Sequence, residues 1–326
     1  ASVTAGQTRG LYGDIGAPAN AFGSQASEAW AAGATGSTKV AVGVVDSGMD
    51  YTHSDLYLNV WLNQREIPTA IRSGLTDSDG DSLITFRDLN DARNAGFVSD
   101  VNANGRIDAG DLLNDIRWEN SLDEDANGYK DDLIGWDFVN NDNDPMDDQG
   151  HGTHVSGTIG AMGGNAIGVA GVNWSVQMVA LKFLDNTNYG YVSNTIKALD
   201  YFTAASKAGT GVDFAATNNS WGGAGFSQSL LDSITRGAKQ DIIYVAAAGN
   251  SGANNDATPF YPSSYSTAAT AGYDAVVSVA AIGNTGALAS WSSYGSTSVD
   301  LAAPGVGIYS TTRGGGYGSM SGTSMA

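Results

Sequence analysis

Short apolar runs alternate along this chain with segments whose apolar residues recur at helical spacing. The run at 39–45 (KVAVGVV) is continuous and strand-sized, which is typical of a parallel strand buried on both faces. Further strands are predicted at 176–184, 215–220, 241–248, 275–282 and 299–303, and helices at 24–32, with Ser24 as candidate N-cap, 193–207 and 227–239. This alternation predicts an α/β fold: a doubly wound, mostly parallel sheet with helices on both faces.

The length and apolar content of the chain bound its class. A membrane-spanning helix needs about 18 or more apolar residues, and the longest apolar stretches are strand-sized, so we predict no membrane span. The 326 residues are 42% hydrophobic, which is enough for a large core. Because no linker interrupts the pattern, we predict a single domain over residues 1–326.

The charge is strongly negative and unevenly distributed. The net charge is -19, which excludes nucleic acid as the default partner because phosphate binding needs clustered Lys and Arg. Residues 46–148 contain 24 acidic and 7 basic residues and so carry most of this excess. No Cys is present, so disulfides and thiolate metal sites are ruled out. The chain starts at Ala1 without a basic-then-apolar leader, which indicates a processed mature form or a shortened sequence.

The acidic segment contains two twelve-residue loops with the oxygen spacing by which a chain wraps Ca²⁺. The first supplies side chains at loop positions 1, 3, 5 and 12 and a carbonyl at position 7, namely Asp77, Asp79, Asp81, Asp88 and Leu83. The second, 23 residues later, supplies the same positions with Asp100, Asn102, Asn104, Asp111 and the carbonyl of Arg106. Ser82 replaces the usual Gly at position 6 of the first loop. This repeat predicts an inserted paired calcium-loop region at 64–120, which resembles EF-hand and dockerin-type modules.

A third loop at 123–134 has the first half of the same pattern. Its predicted ligands are Asp123, Asp125, Asn127, the carbonyl of Tyr129 and a closing Asp131 or Asp132, of which we favour Asp132. Such clusters are also ordinary solvated turns, and that interpretation stays open here and for the acidic residues at 142–148. Together the loops predict two to four or more structural Ca²⁺ ions.

Three segments outside these loops carry residues suited to nucleophilic catalysis. Asp46 ends the 39–45 strand, where functional groups of parallel sheets collect, although an Asp before Gly is also a common turn cap. His151 and His154 lie in a run of small residues that predicts a closely packed helix. A zinc site there is disfavoured, because no Glu lies between the two His and the chain has no Cys. Ser324, flanked by small residues, is a candidate nucleophile.

Together these segments resemble the active-site motifs of subtilisin-like serine proteases, in that family's order Asp, His, Ser. The resemblance covers roughly 20–62 and 123–326 and rests on 46–56 (DSGMDYTHSDL), 150–161 (GHGTHVSGTIGA), 219–223 (NSWGG), 246–252 (AAAGNSG), 301–305 (LAAPG) and 321–326 (SGTSMA). It implies the subtilisin-like fold and a secreted, calcium-dependent serine endopeptidase. The partners would be protein or peptide substrates and proteinaceous protease inhibitors, and we expect a monomer.

The resemblance also implies the role of each catalytic residue. Ser324 Oγ would attack the peptide carbonyl, His151 would take up and return the proton, and Asp46 would orient the imidazole. Asn250 and the backbone N–H of Ser324 would hold the developing oxyanion.

The implied substrate-binding residues form an extended edge and a facing segment: Ser220, Trp221, Gly222, Gly223, Tyr189 and Gly190. A peptide would pair with the edge through main-chain hydrogen bonds, which depend little on the amino-acid sequence of the peptide. Because the two glycines and residues 246–248 have little side chain, we expect an open pocket and a broad endopeptidase that favours a large apolar P1 residue. Trp221 as plain core is the alternative.

Two further expectations come from the family. Asp55 matches a carboxylate that binds structural Ca²⁺ there, together with a loop here at 164–169 that includes Asn165. The family also has a helix that begins at the nucleophile, whereas this sequence stops at Ala326. We therefore expect the catalytic domain to lack its C-terminal part and these 326 residues alone to be poorly active.

Two other classes of function stay open. A catalytically inactive subtilase-like binding module would keep the fold without the activity, but retention of Asp46, His151, Asn250 and Ser324 together argues against it. A Ca²⁺-dependent adhesion or assembly protein would instead use the acidic loops. A serine-directed reagent that labels Ser324 would separate the enzyme from both.

Overall fold

The computed structural model describes residues 22–223 and 225–326. Its helices are α1 (Ala26–Ala31), α2 (Thr69–Arg72), α3 (Phe86–Leu89), α4 (Ala109–Leu112), α5 (His151–Gly160), α6 (Val192–Ser206), α7 (Gln228–Ala238) and α8 (Ala268–Ala271), with 3₁₀ turns at Tyr57–Asn59 and Ala92–Asn94. Its strands are β1 (Gly36–Asp46), β2 (Gly135–Asp137), β3 (Ser175–Lys182), β4 (Asp213–Asn219), β5 (Ile243–Ala247), β6 (Val276–Ile282), β7 (Leu301–Pro304), β8 (Ile308–Thr312) and β9 (Gly316–Met320).

Seven parallel strands form one sheet in the order β2-β3-β1-β4-β5-β6-β7. In the register of this sheet, Asp46 at the end of β1 pairs with Lys182 at the end of β3. From β1, strands β3 and β2 extend the sheet towards one edge, and strands β4 to β7 extend it towards the other. This is the doubly wound arrangement. The predicted α/β fold class is confirmed.

The two faces of the sheet bury separate hydrophobic clusters. Successive residues of a strand point to opposite faces, and β1 shows this directly. Val44 packs in one cluster with Val155 of α5, and Val45 packs in the other with Phe202 of α6. The sheet is therefore covered on both sides, which explains why its central strands are continuous apolar runs.

The predicted strands and helices are present, with ends that differ by one or a few residues. Helix α1 begins after Gln25, whose φ is 57°, and no side chain caps it, so Ser24 is not its N-cap. The sequence analysis did not predict the three-residue strand β2 or the antiparallel hairpin of β8 and β9. In that hairpin Gly314 and Gly315 have φ of 75° and 78°, and paired glycines between two strands are a hairpin signal that could have been used.

The inserted region shares the core on the α5 side of the sheet. Its side chains Phe86, Leu112 and Trp118 are at most 1% exposed and belong to the same hydrophobic cluster as Val44. The prediction of one domain extends over residues 1–326, of which 1–21 lie outside the described residues. Within the described ranges, no helix has the length and apolar content that a bilayer crossing requires.

Candidate active site and acidic loops

Asp46 and His151 meet at the carboxyl end of the central strand. His151 Nδ1 lies 2.7 Å from Asp46 Oδ1, which also accepts the backbone N–H of Ser47. The carboxylate is fully buried, and its Oδ2 has no partner among the described residues. Burial by itself lowers the pKa of His151, but the charge of Asp46 and its hydrogen bond outweigh burial, so the pKa of the imidazole is raised.

Helix α5 begins at His151 because buried side chains satisfy its first N–H groups. Asp147 accepts the N–H groups of Gly150 and Thr153, at 2.7 and 2.9 Å. Ser47, next to Asp46, accepts the N–H of Gly152 and donates to Asp147. A Cβ at Gly152 would lie 2.1 Å from the carbonyl of Gly48, so only glycine lets the helix approach the β1 turn this closely. These contacts fix the histidine relative to the aspartate.

His154 lies one turn along α5 and faces the hairpin, not the aspartate. It is fully buried, and its Nε2 lies 3.1 Å from the carbonyl of Ile308 and 3.2 Å from that of Gly318. Burial lowers the pKa of this imidazole, which favours a neutral ring that donates from Nε2. The side chain therefore packs α5 onto β8 and β9.

Ser324 and Asn250 line a cleft that His151 also lines. Ser324 Oγ donates to the carbonyl of Ser220 at 3.0 Å, and Ser220 Oγ donates back to the carbonyl of Ser324 at 2.9 Å. Asn250 Oδ1 accepts the N–H and the hydroxyl of Thr323, at 2.9 and 3.0 Å. In this arrangement the serine hydroxyl is directed at Ser220, in the segment that the sequence assigns to substrate, and no hydrogen bond joins it to His151 among the described residues.

A cleft of about 1270 Å³ brings the sequence-predicted residues together. Its lining includes the predicted catalytic residues His151, Asn250 and Ser324, and the predicted substrate-binding residues Ser220, Trp221, Gly222, Gly223, Tyr189 and Gly190. Ser220–Gly223 and Tyr189–Gly190 lie outside regular strands. Trp221 packs edge-on against Phe183, with ring centroids 5.0 Å apart, and also lines the cleft, so its substrate-binding role stays a prediction.

The first two acidic loops have the same local geometry. Position 1 accepts the N–H of position 6 in each, from Ser82 to Asp77 and from Gly105 to Asp100, both at 2.8 Å. Position 12 accepts the N–H of position 2 at 2.7 Å in each, through Asp88 and Asp111. Ser82 takes a φ of 73° where Gly105 has 86°, so the missing glycine does not change the turn.

Carboxylate oxygens converge in the first loop. One oxygen from each of Asp77, Asp79 and Asp81 lies within 4.8 Å of the others, a spacing that could hold a metal ion. Burial and then repulsion from Asp81 raise the pKa of Asp79, whereas backbone hydrogen bonds lower the pKa of Asp77. Hard oxygen donors in such a turn suit Ca²⁺.

Glu66, a residue that the sequence did not indicate, lies against the third loop. Asp125 and Asp132 each place a carboxylate oxygen within 4.8 Å of one from Glu66, and Glu66 forms a second such group with Glu124 and Asp131. Burial raises the pKa of Asp132 to about 7, and burial together with repulsion from Asp132 raises that of Glu66 to about 8. A cation would relieve this repulsion. Glu66 precedes the loop by more than fifty residues, so its sequence position gave no signal.

Asp55 and the 164–169 loop meet as expected. The Asn165 amide donates to Asp55 Oδ1 at 2.6 Å, and the Val169 N–H donates to Oδ2 at 2.9 Å. Burial raises the pKa of Asp55 despite these bonds. Both oxygens therefore accept hydrogen bonds that anchor the 164–169 loop, as both carboxylate oxygens of Asp77 accept N–H groups within the first acidic loop. The predicted calcium role of Asp55 stays a prediction.

Comparison with known proteins gives one consistent result. A family model described as "Subtilase family" matches residues 37–326. Subtilisin-like protease 1 of Plasmodium berghei (strain Anka) is 30% identical over 298 residues, which are 87% of this chain and 40% of that protein. Thermitase of Thermoactinomyces vulgaris is 36% identical over 192 residues, which are 59% of this chain and 62% of that protein.

A solved structure described as a cold adapted subtilisin-like serine proteinase is also similar. It is 26% identical, with a TM-score of 0.54, and the match covers 88% of this chain and 70% of that one. The chain spans less than two thirds of the length of the two relatives named above. Because the family model matches most of the chain, the chain belongs to the subtilase family.

Proposed function

We propose that this protein is a serine endopeptidase in which Asp46, His151 and Ser324 act as a catalytic triad. The observation that carries the proposal is the 2.7 Å contact between His151 Nδ1 and Asp46 Oδ1, at the edge of a cleft that Ser324 and Asn250 also line. The subtilase match over residues 37–326 supports the same chemistry. Protein or peptide substrates and a secreted location belong to this proposal.

The chemistry follows from which nitrogen carries the proton. With Nδ1–H donated to Asp46, the neutral imidazole keeps a lone pair on Nε2 and can act as a base. Ser324 Oγ then transfers its proton to Nε2 as it bonds to the substrate carbonyl carbon, and the imidazolium gives that proton to the leaving amine. Water repeats the sequence and releases the acid product. The carboxylate of Asp46 stabilises the imidazolium between these steps.

The oxyanion is assigned to Asn250 Nδ2 and the Ser324 backbone N–H. Because Asn250 Oδ1 accepts both the N–H and the hydroxyl of Thr323, the amide is fixed with its oxygen turned to the protein. Its Nδ2 donors are left for the substrate. Preorganised donors of this kind stabilise charge that develops only in the transition state.

Calcium binding by the acidic loops is the second part of the proposal. The loop beginning at Asp77, the loop beginning at Asp100 and the Glu66–Asp125–Asp132 group would each hold Ca²⁺ through side-chain and carbonyl oxygens. The ions would be structural, and binding would stabilise the folded state by mass action. Bound Ca²⁺ would supply charge compensation to these carboxylates.

Substitution of the nucleophile tests the enzymatic proposal. In the full-length protein, Ser324→Ala should lower kcat on a peptide substrate by about 10⁶-fold, since triad members act as a unit. Ser229→Ala is the matched control: it removes an exposed hydroxyl on α7, away from the residues that line the cleft, and should leave kcat within about twofold. A fluorophosphonate should label Ser324 in the parent and the control, as located by peptide mass spectrometry. Labelling elsewhere, or full activity in Ser324→Ala, would contradict the triad.

A further inference from the structure

The ring of Phe260 occupies the space that the sequence predicts to be an open substrate pocket. A Cβ built on Gly222 would lie 2.4 Å from Cε1 and Cζ of this ring. A Cβ built on Gly249 would lie 3.1 Å from its Cδ1 and Cε1. The phenyl ring therefore contacts both glycine-bearing segments, and the room left by their missing side chains is filled from within the protein.

Backbone contacts hold Phe260 in this place. Its N–H donates to Ser264 Oγ at 3.0 Å, and its carbonyl accepts the Ser264 N–H at 2.9 Å. The next carbonyl along the chain, of Tyr261, accepts the N–H of Gly223 at 3.0 Å, which ties this turn to the predicted substrate edge. The ring is half-buried, and these contacts fix the backbone from which it extends.

The filled space lies next to the nucleophile. Gly249 precedes Asn250, whose side chain holds Thr323, and Thr323 precedes Ser324. On the other side, Gly222 lies two residues after Ser220, whose carbonyl accepts the Ser324 hydroxyl. A substrate residue whose carbonyl is attacked by Ser324 would direct its own side chain between these two segments, and there it would meet the Phe260 ring.

We propose that Phe260 is a specificity-determining residue that closes the P1 pocket, so that the enzyme prefers a small P1 residue such as alanine over a large apolar one. The inference rests on the proposed endopeptidase function and replaces the expectation of a large P1 residue. Both glycine segments are already in contact with the ring, so an aromatic P1 side chain would have to displace it. Forcing a larger side chain into a packed site moves its neighbours out of their preferred rotamers, and that rearrangement costs affinity.

Four peptide p-nitroanilides that differ only at P1, with Gly, Ala, Leu or Phe, provide the test. For the full-length protein we expect kcat/KM to be highest for P1 Ala and lowest for P1 Phe. In the Phe260→Ala variant, the ratio of kcat/KM for the P1 Phe substrate to kcat/KM for the P1 Ala substrate should rise by roughly 10- to 100-fold. Changes in the volume of a hydrophobic pocket typically alter kcat/KM by this much. Phe260→Leu, a smaller change that keeps the site filled, should give an intermediate ratio and covers the case in which the alanine variant folds poorly.

Phe226→Ala is the matched control. Phe226 is an exposed phenylalanine whose ring lies 5.5 Å from that of Tyr261, so it borders the same turn, and it does not line the cleft among the described residues. Its P1 profile should equal that of the parent. A parent preference for P1 Phe, or equal changes on all four substrates in Phe260→Ala, would overturn the inference while leaving the endopeptidase proposal intact. Failure to cleave any substrate by a parent that carries an intact Ser324 would overturn both.

Discussion

The proposed catalytic residues and the acidic loops are built in opposite ways. Asp46 and His151 are 105 positions apart, and the parallel sheet and helix α5 bring them together. The ligand groups of the first acidic loop lie within twelve consecutive residues, and hydrogen bonds inside the loop set their geometry. The first arrangement depends on the whole fold, whereas the second depends mainly on local sequence. Damage to one should therefore leave the other largely intact.

The Asp46–His151 pair and the carboxylates of the third acidic loop also differ in how their charge is compensated. Asp46 is buried beside an imidazole that can become positive, so the pair compensates its own charge. Among the described residues, the carboxylates of Glu66, Asp125 and Asp132 form no ion pair with a basic side chain, and burial with mutual repulsion raises the pKa of Glu66 to about 8. Only an added cation or protons can compensate such a group. This contrast leads to four expectations.

The largest effect is expected for Asp46→Asn. An amide at this position can donate to Nδ1 and stabilise the wrong imidazole tautomer, so kcat should fall by about 10⁴-fold. Asp232→Asn, an exposed change on α7, is the control and should have no measurable effect. If the two regions are independent, the calcium concentration that gives half of the calcium-dependent rise in Tm should be the same in Asp46→Asn and the parent. A drop of less than tenfold in kcat would contradict the role of Asp46.

The next effect separates two functions of Asn250. Asn250→Ala should lower kcat by about 10²- to 10³-fold with little change in KM, because one oxyanion donor is lost. Asn250→Asp keeps an oxygen to accept from Thr323 but removes the donor, and it should be equally impaired. If the aspartate variant instead keeps its activity, the side chain serves only to position Thr323.

Calcium removal should act on stability and not directly on the catalytic pair. At a free Ca²⁺ concentration of about 100 Kd, one site contributes about 2.7 kcal/mol, so its loss should lower Tm by roughly 5–10 °C. The measurement is thermal unfolding of the Ser324→Ala protein with and without EGTA, since that variant cannot digest itself. Asp77→Asn/Asp79→Asn should reduce the EGTA effect, and Ca²⁺ but not Mg²⁺ should restore Tm. A Tm unchanged by excess chelator would rule out the calcium proposal.

The smallest effect is in the pH dependence of His151. The base must be neutral, and its folded pKa is raised, so kcat/KM should rise with pH through a midpoint above the ordinary histidine value of about 6.5. The stability that the protonated ring gains from Asp46 is fully present below the unfolded pKa and is lost as pH rises through the folded one. Activity and this part of the stability should therefore change in opposite directions. A pH–rate profile, with Tm of Ser324→Ala against Ser324→Ala/His151→Ala over the same range, checks both.

Sequence reasoning succeeded where the signal was local or where order along the chain was enough. The apolar runs predicted the strands of the parallel sheet and the three motifs predicted the subtilase family, and both are confirmed, whereas Asp46, His151 and Ser324 as the triad stay a prediction. It missed Glu66, because nothing in the sequence around this residue indicates that it folds back onto the third loop. It also missed the hairpin of β8 and β9, whose strands are short and whose Gly314–Gly315 turn was not used.

The sequence by itself determined the fold class and the position of the acidic loops, and it supplied the candidate catalytic groups, because periodicity and short motifs are properties of consecutive residues. Only the tertiary structure decided that Glu66 joins Asp125 and Asp132, that His154 faces the hairpin, and that Phe260 fills the space beside Gly222. Each of these depends on which segments pack together across the sheet and its loops. Small residues indicate where room is available, and packing decides which side chain takes it.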